Sequence, residues 1–399
     1  MADSDLQDLD FDHLDPAYRG FIDEALAQYG LDPAVFCTPV PAADEMTFKA
    51  LLPNYEFDRN IGAFKFTEAT LRHFDAYDQI VRGVFGGFER LNSVLDFASG
   101  YGRLTRILIQ KLPRDRIWVS DIYAEAVDWQ AQTFGVNAFA SSPDPALLDH
   151  AGGHDLVFVG SMFSHLPAGL FHDWLAKLYG FLGPRGVLAF SVHDEALLPA
   201  GESMDATGLR YFRASESGSL DADIYGMSYV TEAFVADAIA RVAPGVASRR
   251  FPKGLYENQD LYVVGTPGVD LQRLVLASTP MGGLETITLL PTGEAEFAGW
   301  AIERTPGQRI ERIGVLVDGA PAAEILPATE RPDVLAAFPC AANTPVGWRF
   351  RLSAAEAAPG ARLRLQLQST SGLSGHVFAQ MPAPAAMTYS GWSRRALRD

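Results

Sequence analysis

The sequence predicts a mixed α/β domain with a parallel sheet, which follows a helical segment and precedes an all-β domain. Between Ser93 and His193, short β-branched runs such as RIWVSD alternate with amphipathic stretches such as AEAVDWQAQTF, a pattern typical of a parallel sheet covered by helices. From Asp15 to about Gly87, apolar residues recur at three- and four-residue spacing, which predicts helices. Beyond about Gly268, short strands separated by Pro/Gly-rich turns predict a small β-sandwich.

These patterns divide the chain of 399 residues into four segments. Inside the α/β segment, the stretch from His193 to Tyr229 lacks strong periodicity and is too long for an ordinary connection, so we expect a lid or substrate loop. Two later strands, ASRRFP and LYVVGT, have the spacing of a hairpin. The predicted segments are an N-terminal helical cap over 1–90, the α/β domain over 91–267, the β-sandwich over 268–382 and a C-terminal tail over 383–399.

The charge of the chain is negative and unevenly spread. There are 49 Asp and Glu against 32 Lys and Arg, a net charge of −17. Residues 1–60 hold 13 acids and 3 bases, whereas residues 268–399 hold 12 of each. A negative field of this size repels polyphosphates, so a general nucleic-acid or anionic-membrane binder is not expected.

Cysteine usage and hydropathy bear on the cellular compartment. Cys37 and Cys340 form no Cys-x-x-Cys or Cys/His cluster, so neither a disulfide framework nor a zinc site is predicted, and both are expected to be buried. The first residues are acidic rather than basic, and no stretch approaches the ~18 apolar residues of a membrane span. We therefore expect a cytoplasmic protein without a membrane span.

The segment VLDFASGYGR, residues 94–103, is a predicted buried strand that ends in Gly-x-Gly and runs directly into a helix. Gly100 and Gly102 allow a tight turn and the close approach of a ligand, and the helix start behind them offers free N–H groups. A dinucleotide site would need Gly or Ala where Thr105 stands. Asp96 would repel a pyrophosphate, but it can engage an ammonium group directly or through water.

Over roughly residues 90–267 the sequence resembles the class I S-adenosylmethionine (SAM) dependent methyltransferases. Asp121, which ends RIWVSD, matches the acidic residue that grips the two ribose hydroxyls in this family. The resemblance implies SAM as cofactor and a seven-stranded Rossmann-like sheet, in which the last strand, LYVVGT, runs antiparallel beside the fifth. The family's first motif is matched by Asp96, Ala98, Gly100 and Gly102.

The same resemblance implies a set of cofactor contacts. The adenine amino group would bond to Ser142 or to the neighbouring Asp144, and of these we prefer Ser142. Further contacts are expected in the loop after the fourth strand. The predicted cofactor-binding residues are Asp96, Ala98, Ser99, Gly100, Gly102, Asp121, Ile122, Ser142, Gly160 and Ser161.

Two histidines are candidate general bases. The methyl group of SAM is already electrophilic, so the protein must mainly orient a nucleophile and take its proton. His193 ends the predicted fifth strand, and His165 follows Gly160 by five residues. Imidazole, with an ordinary pKa of about 6.5, titrates near neutral pH. Both histidines remain candidates, and a packing role is the alternative for His165.

Candidate acceptor contacts lie in the long loop and in the last hairpin. Their polar side chains suit a hydroxyl-rich ligand, although a solvated lid or turn would have the same composition. No compact Asp-x-Asp or Glu/Asp/His spacing predicts a metal site. The predicted substrate-binding residues are Tyr211, Arg213, Tyr225, Glu257 and Gln259.

The segments SMFSHLP, FSVHDE and YENQDLYVV look like those of methyltransferases found alongside glycosyltransferases in bacterial surface-polysaccharide pathways. This resemblance implies O-methylation of a sugar or glycan hydroxyl in polysaccharide or glycoconjugate biosynthesis. The alternatives are methylation of a non-sugar small metabolite, and a non-catalytic scaffold that assembles a glycan-synthesis complex.

The C-terminal part resembles small sandwich modules appended to bacterial glycan-modifying enzymes. Such a module could bind a glycan, a glycan-synthesis protein or a second copy of the chain. Trp300 and Trp348 could stack on sugar rings. A Trp in a sandwich is more often part of the core, and we predict that role for both.

Overall fold

The computed structural model describes residues 7–214, 217–256, 258–338 and 345–381. Contacts between these residues define two compact units. The first contains residues 7–14 and 30–276, and the second contains residues 15–29 and 277–381. The predicted division into cap, α/β domain, sandwich and tail stays a prediction, and the tail lies outside the described residues.

The first unit is built on a sheet with five parallel strands. They are β1 (Val94–Phe97), β2 (Ile117–Asp121), β3 (Asn137–Ala140), β4 (His154–Val159) and β5 (Leu182–Asp194). Their order in the sheet is β3-β2-β1-β4-β5. Every residue of β1 is buried, as is usual for parallel strands that are covered on both faces. The predicted mixed α/β domain with a parallel sheet is therefore confirmed.

Four further strands extend this sheet to nine, where seven were expected. The strands β6 (Leu209–Phe212) and β7 (Met227–Val230) form a hairpin within the segment predicted to be a loop, and β7 pairs with the outer end of β5. Strands of four residues are too short to show a clear periodicity in the sequence. The strands β8 (Ser248–Leu255) and β9 (Gln259–Gly265) form the expected hairpin, and β9 runs antiparallel beside β5, as predicted for LYVVGT.

Side-chain caps begin several helices. Asp58 accepts hydrogen bonds from the N–H groups of Asn60 and Ile61, and Thr231 accepts one from Phe234. Within the described ranges, no helix has both the length and the apolar character to cross a membrane. Helix α1 (Pro16–Gln28) belongs to the second unit, and the first unit has α2 (Pro33–Phe36), α3 (Arg59–Ile80), α4 (Thr105–Leu108), α5 (Ala124–Phe134), α6 (Ala168–Tyr179) and α7 (Glu232–Val242).

One face of the large sheet packs against α6 and α7. Phe97, Val159 and Phe190 of three neighbouring strands share a buried cluster with Trp174 of α6 and Phe234 of α7. Burying one such side chain contributes about 1.5–3 kcal/mol. This packing holds the carboxyl ends of β1, β4 and β5 at one edge of the sheet.

The second unit combines two antiparallel sheets with α1 and α8 (Pro332–Ala337). Its strands are β10 (Met281–Leu289), β11 (Ala295–Ile302), β12 (Ile310–Val317), β13 (Ala320–Ile325), β14 (Gly347–Leu352), β15 (Arg362–Ser369) and β16 (Ser374–Gln380). The sheets have the orders β10-β11-β14 and β13-β12-β15-β16. Both contribute to one core, for example Phe297 and Leu365. Trp300 and Trp348 are buried, so their predicted core role is confirmed.

Helix α1 packs within the second unit, although the sequence pattern places it in the N-terminal cap. The ring of Phe21 lies 5.1 Å from the ring of Phe378 on β16. Glu24 forms ion pairs with Arg362 and Arg364 of β15. Helical periodicity reveals that a helix has an apolar face, but it does not reveal which sheet covers that face.

We expect Glu24→Ala to destabilise the second unit. Arg364 is buried, its Nε atom lies 3.0 Å from Glu24 Oε2, and burial already lowers its pKa. Removing one partner of a buried pair leaves an uncompensated charge, which costs about 3 kcal/mol or more. Urea unfolding of the whole chain, followed by tryptophan fluorescence, measures the loss.

The matched control is Glu296→Ala, because Glu296 pairs with Arg349 and Arg351, whose side chains are exposed. Its loss should be below about 1 kcal/mol. Equal losses in the two variants would contradict a buried role for Arg364.

Candidate cofactor and acceptor site

The turn after β1 bends the backbone sharply and leaves open space beside it. Ala98, Gly100 and Gly102 all have positive φ, at 60°, 53° and 72°, a region that costs energy for the non-glycine residue. A Cβ atom at Gly100 would meet nothing within 4 Å. A Cβ atom at Gly102 would lie 2.7 Å from Gln130 Oε1. The turn therefore needs glycine at 102 for packing, and it offers room for a ligand at 100.

Two buried carboxylates lie next to this turn. Asp96 in β1 is 4% exposed and Asp121 at the end of β2 is 6% exposed. The N–H groups of Gly100 and Tyr123 donate to Asp121 at 2.7 and 3.1 Å. Burial raises the pKa of Asp121, and these N–H groups oppose the shift. Burial, together with the charge of Asp121, raises the pKa of Asp96 to about 8. A cation bound here would relieve both effects.

Side chains from α3 and from the hairpin β8–β9 lie on the Asp96 side of the site. The Tyr256 hydroxyl lies 2.7 Å from His73 Nδ1. His73 Nε2 and the Tyr77 hydroxyl are buried and have no hydrogen-bond partner among the described residues. Burial, with the nearby charge of Arg103, lowers the pKa of His73 to about 3, so its ring is neutral. Burial and the charge of Asp96 raise the pKa of Tyr77.

Sequence reasoning missed His73 and Tyr77. They stand four residues apart, so they lie on the same face of α3. The available signal was two large polar groups on a helix face that is mostly apolar, where both are buried. A buried polar atom without a partner is unusual enough to suggest that a ligand supplies the missing bond.

The loop after β4 is tied to β5 and β9 by one polar network. Ser161 has a positive φ of 63°, and its N–H donates to Ser191 Oγ at 2.8 Å. The hydroxyls of Ser161 and Ser191 both donate to Gln259 Oε1, at 3.0 and 2.7 Å. The Nε2 atom of Gln259 lies 3.4 Å from Nε2 of His193. A Cβ atom at Gly160 would lie 3.1 Å from the His73 ring, so this loop also packs closely on α3.

The structure brings both candidate histidines to this edge. Their ring centroids are 6.0 Å apart. His165 is 3% exposed, and its Nδ1 atom lies 2.6 Å from the Gly226 carbonyl oxygen. A carbonyl only accepts, so Nδ1 carries the proton and Nε2 of the neutral ring has the lone pair. Burial lowers the pKa of His165, and the bond to Gly226 opposes this shift. Tyr225 stacks on His165 with the ring centroids 4.6 Å apart, and the ring centroids of Tyr229 and His193 are 5.5 Å apart.

Other predicted residues have structural partners of their own. The Tyr211 hydroxyl donates to the Ala222 carbonyl at 2.8 Å, and Arg213 pairs with Asp223 at 2.8 Å. Ser142 Oγ accepts the Asp144 N–H at 3.2 Å. Asp144 in turn caps the short 3-10 turn Pro145–Leu147. Glu257 lies outside the described residues.

A segment of the long loop lies against the Asp121 side of the site. The Tyr123 hydroxyl lies 2.7 Å from both Ser217 Oγ and Ser219 Oγ, and it donates to Glu45 Oε2 at 3.1 Å. Tyr123 follows Asp121 by two residues. These bonds hold residues 217–219 and the N-terminal Glu45 together beside the turn.

Metal-binding geometry is not found in the described parts of the chain. No group of three or more His, Cys, Asp or Glu there could hold a metal ion. Cys37 is buried, whereas Cys340 lies outside those parts.

No protein-family model matches the chain, and no curated protein does. Among solved structures, DesVI of Streptomyces venezuelae matches with a TM-score of 0.39 and 15% identity, over 52% of this chain and 97% of that chain. CalS10 of Micromonospora echinaspora, a SAM-bound amino pentose methyltransferase, matches with a TM-score of 0.38 and 15% identity, over 51% of this chain and 96% of that chain. Magnesium protoporphyrin IX methyltransferase of Synechocystis PCC 6803 matches with a TM-score of 0.35 and 15% identity, over 51% of this chain and 87% of that chain. These are loose likenesses over about half of this chain.

Asp96→Asn should raise the melting temperature of the protein without ligand, and increasingly so from pH 4 to pH 8. The ordinary pKa of this group is 3.8, and in the folded chain it is about 8. Between these values the folded state binds more protons than the unfolded state, so its stability falls as pH rises. Asn has no proton to lose and avoids this cost. Differential scanning fluorimetry across this pH range measures the effect.

The control for this variant is Asp237→Asn, which removes the same charge from an exposed position on α7. Its melting temperature should follow that of the wild type. An Asp96→Asn protein that is less stable than the wild type at pH 8 would contradict the raised pKa.

Tyr123→Phe should loosen residues 217–220 while leaving the sheet intact. It removes the hydroxyl that bonds to Glu45, Ser217 and Ser219, and each lost bond is worth about 1 kcal/mol. We expect amide hydrogen exchange in this segment to become roughly tenfold faster, as measured by mass spectrometry. Tyr179→Phe is the control, because its hydroxyl bonds to Gly265 on another part of the unit. Unchanged exchange in Tyr123→Phe would show that other contacts hold the segment.

Proposed function

We propose that this chain is a SAM-dependent methyltransferase. The observation that carries the proposal is an open glycine turn flanked by two buried carboxylates, Asp96 and Asp121. SAM combines a sulfonium and an ammonium group with two ribose hydroxyls. Positive charge suits the site because burial makes both carboxylates costly to ionise, and the charge of Asp121 adds to that cost for Asp96. Hydroxyl donors suit a carboxylate, which can accept two hydrogen bonds at once.

The residues present fit the cofactor group by group. Asp121 would accept the ribose hydroxyls, and Asp96 would face the amino group directly or through water. The Tyr77 hydroxyl, buried near Asp96, and His73 Nε2, one helical turn away, are further partners for its polar end. Ser142, or Asp144, would meet the adenine amino group. The remaining predicted contacts are Ala98, Ser99, Gly100, Gly102, Ile122, Gly160 and Ser161.

The acceptor side supplies groups for proton transfer. When bound, SAM supplies a methyl carbon that bonds to the acceptor oxygen while the C–S electron pair stays on sulfur, so the hydroxyl proton must be taken up. Nε2 of neutral His165 has a lone pair for that proton, because the Nδ1–H group of the same ring donates to the Gly226 carbonyl oxygen. His193, 6.0 Å away between ring centroids, is the second candidate. A positioned base of this kind contributes about 10²–10⁴-fold to a rate.

We infer that the acceptor is a neutral hydroxyl compound, and specifically a sugar or glycan. The aromatic rings of Tyr225 and Tyr229 beside the two histidines suit the faces of sugar rings. Arginines on this side are already paired with carboxylates, which disfavours a heavily phosphorylated acceptor: Arg250 with Asp194, Asp260 and Glu232, Arg210 with Glu202 and Asp205, and Arg213 with Asp223.

The finer parts of the proposal rest on the sequence resemblance. They are O-methylation in cytoplasmic surface-polysaccharide or glycoconjugate synthesis, and a role of the C-terminal strands in binding glycan-synthesis proteins or a second copy of the chain. The alternatives to sugar methylation are methylation of a non-sugar metabolite and a purely scaffolding role; acceptor panels test the first, and cofactor binding tests the second.

Isothermal titration calorimetry with S-adenosylhomocysteine, the demethylated product, tests the cofactor directly. We expect saturable binding to the whole chain and a loss of at least about tenfold in affinity for Asp121→Ala, since a charge-assisted pair of bonds is worth more than 1.4 kcal/mol. The exposed Asp237→Ala should bind as the wild type does. Absence of binding in the wild type would overturn the enzyme proposal and leave a scaffold.

If the cofactor binds, His165→Ala should retain that binding and lower turnover at least about a hundredfold, because it removes the proton acceptor. Turnover is followed as methyl transfer from labelled SAM to panels of sugars, glycans and non-sugar alcohols. Transfer only to the non-sugar panel would remove the glycan assignment. Wild-type turnover in His165→Ala would remove this histidine as the base.

A further inference from the structure

We propose that Gln259 is a positioning residue that donates a hydrogen bond to Nε2 of His193 and so holds this ring in the tautomer with its proton on Nδ1. Because Nε2 of His193 already accepts a hydrogen bond, the substrate proton is taken up by His165. This inference rests on the proposed methyl transfer, because it divides the work between the two histidines of that site. It also changes the expectation for Gln259, whose polar atoms meet protein groups rather than a substrate.

The orientation of the Gln259 amide follows from its neighbours. Gln259 is the first residue of β9 and is 6% exposed. Ser191 Oγ accepts the N–H of Ser161, so its own proton is free to point toward Gln259 Oε1, 2.7 Å away. The Ser161 hydroxyl donates to the same oxygen at 3.0 Å. A hydroxyl can also accept, but the buried Ser191 hydroxyl has no other acceptor for its proton among the described residues. The amide atom that it meets is therefore the carbonyl oxygen, and the NH₂ group lies on the other side.

The NH₂ group then faces His193. Its nitrogen lies 3.4 Å from His193 Nε2, and an amide nitrogen donates but does not accept. Nε2 of His193 therefore accepts, and the proton of the neutral ring sits on Nδ1. In His165 the bond to Gly226 also places the proton on Nδ1. The difference between the two rings is that the accepting nitrogen of His193 already has an amide donor.

The network also couples the two halves of the site. Ser161, which holds the left-handed conformation after β4, and Ser191 in β5 meet Gln259 from β9 at a single oxygen. Gln259 thus links the loop expected to contact the cofactor with the histidine expected to face the acceptor. Such a residue acts through others, and its removal should affect catalysis more than binding.

Gln259→Glu is the variant that separates orientation from packing. A glutamate keeps the shape and accepts from both serine hydroxyls, but its ionised carboxylate has no hydrogen to donate to His193. We expect His193 to move its proton to Nε2, or to become protonated on both nitrogens. The measurement is the ¹⁵N–¹H correlation spectrum of the histidine rings in the whole chain with S-adenosylhomocysteine, assigned with His193→Gln and His165→Gln.

The expected result is a protonated Nδ1 and an unprotonated Nε2 for His193 in the wild type, and a protonated Nε2 in Gln259→Glu. The His165 ring is the internal control and should keep its proton on Nδ1 in both. Ser191→Ala, which removes one donor to the oxygen but leaves the NH₂ group, should keep the wild-type tautomer. A wild-type His193 protonated on Nε2, or an unchanged ring in Gln259→Glu, would overturn the proposal.

Kinetics give a second readout. A doubly protonated His193 in Gln259→Glu would place a positive charge 6.0 Å from His165 between ring centroids and oppose the uptake of a proton there. Gln259→Glu should therefore lower kcat by about tenfold or more, while the affinity for S-adenosylhomocysteine stays within about threefold. An affinity loss that matches the loss in kcat would show a merely structural role. The spectrum requires no turnover, so it judges the role of Gln259 even if the proposed methyl transfer fails, and failed calorimetry would count against the proposed function alone.

Discussion

The burial of two carboxylates at one edge of a parallel sheet is the constraint around which the site is organised. Asp96 and Asp121 stand near the carboxyl ends of adjacent strands, so the pairing of β1 with β2 forces them together. Backbone N–H groups offset part of the cost of burying the Asp121 charge. Asp96 has a pKa of about 8, so it avoids that cost by staying protonated below this pH. This unequal compensation costs stability in the free protein, and under the proposed function a bound cation that carries hydroxyl groups would relieve that cost.

Backbone strain gathers around the same edge. Ala98 after β1, Ser161 after β4 and Tyr256 in the last hairpin all have positive φ. Such conformations persist only where the surroundings hold them, and they are concentrated at functional sites. Ser161 is held by Ser191, and the Tyr256 side chain bonds to His73. The antiparallel β9 helps to hold Ser161 in place, because it brings Gln259 into contact with Ser161 after β4 and with Ser191 in β5.

Much of the first unit could be read from residue pattern. Buried apolar runs predict parallel strands, and the resemblance of the glycine motif predicts both the turn and an antiparallel strand beside β5. The short hairpin β6–β7 escaped notice because four residues show no periodicity. The strands that pack against α1 could not be predicted from the sequence either. Phe21 and Glu24 identify the face of the helix that is covered, but they do not identify the residues of β16 and β15 that cover it.

The sequence by itself determined the two carboxylates, the glycine turn and the pair of histidines, because these depend on residue type at short spacing and on strand ends that parallel pairing must bring together. Tertiary structure alone decided that Tyr77 lies near Asp96, with His73 one helical turn away, and that Gln259 is buried. Those contacts join residues far apart in the chain, such as Ser161 and Gln259. No local periodicity encodes them, because they arise only when α3 and β9 pack against the same sheet edge.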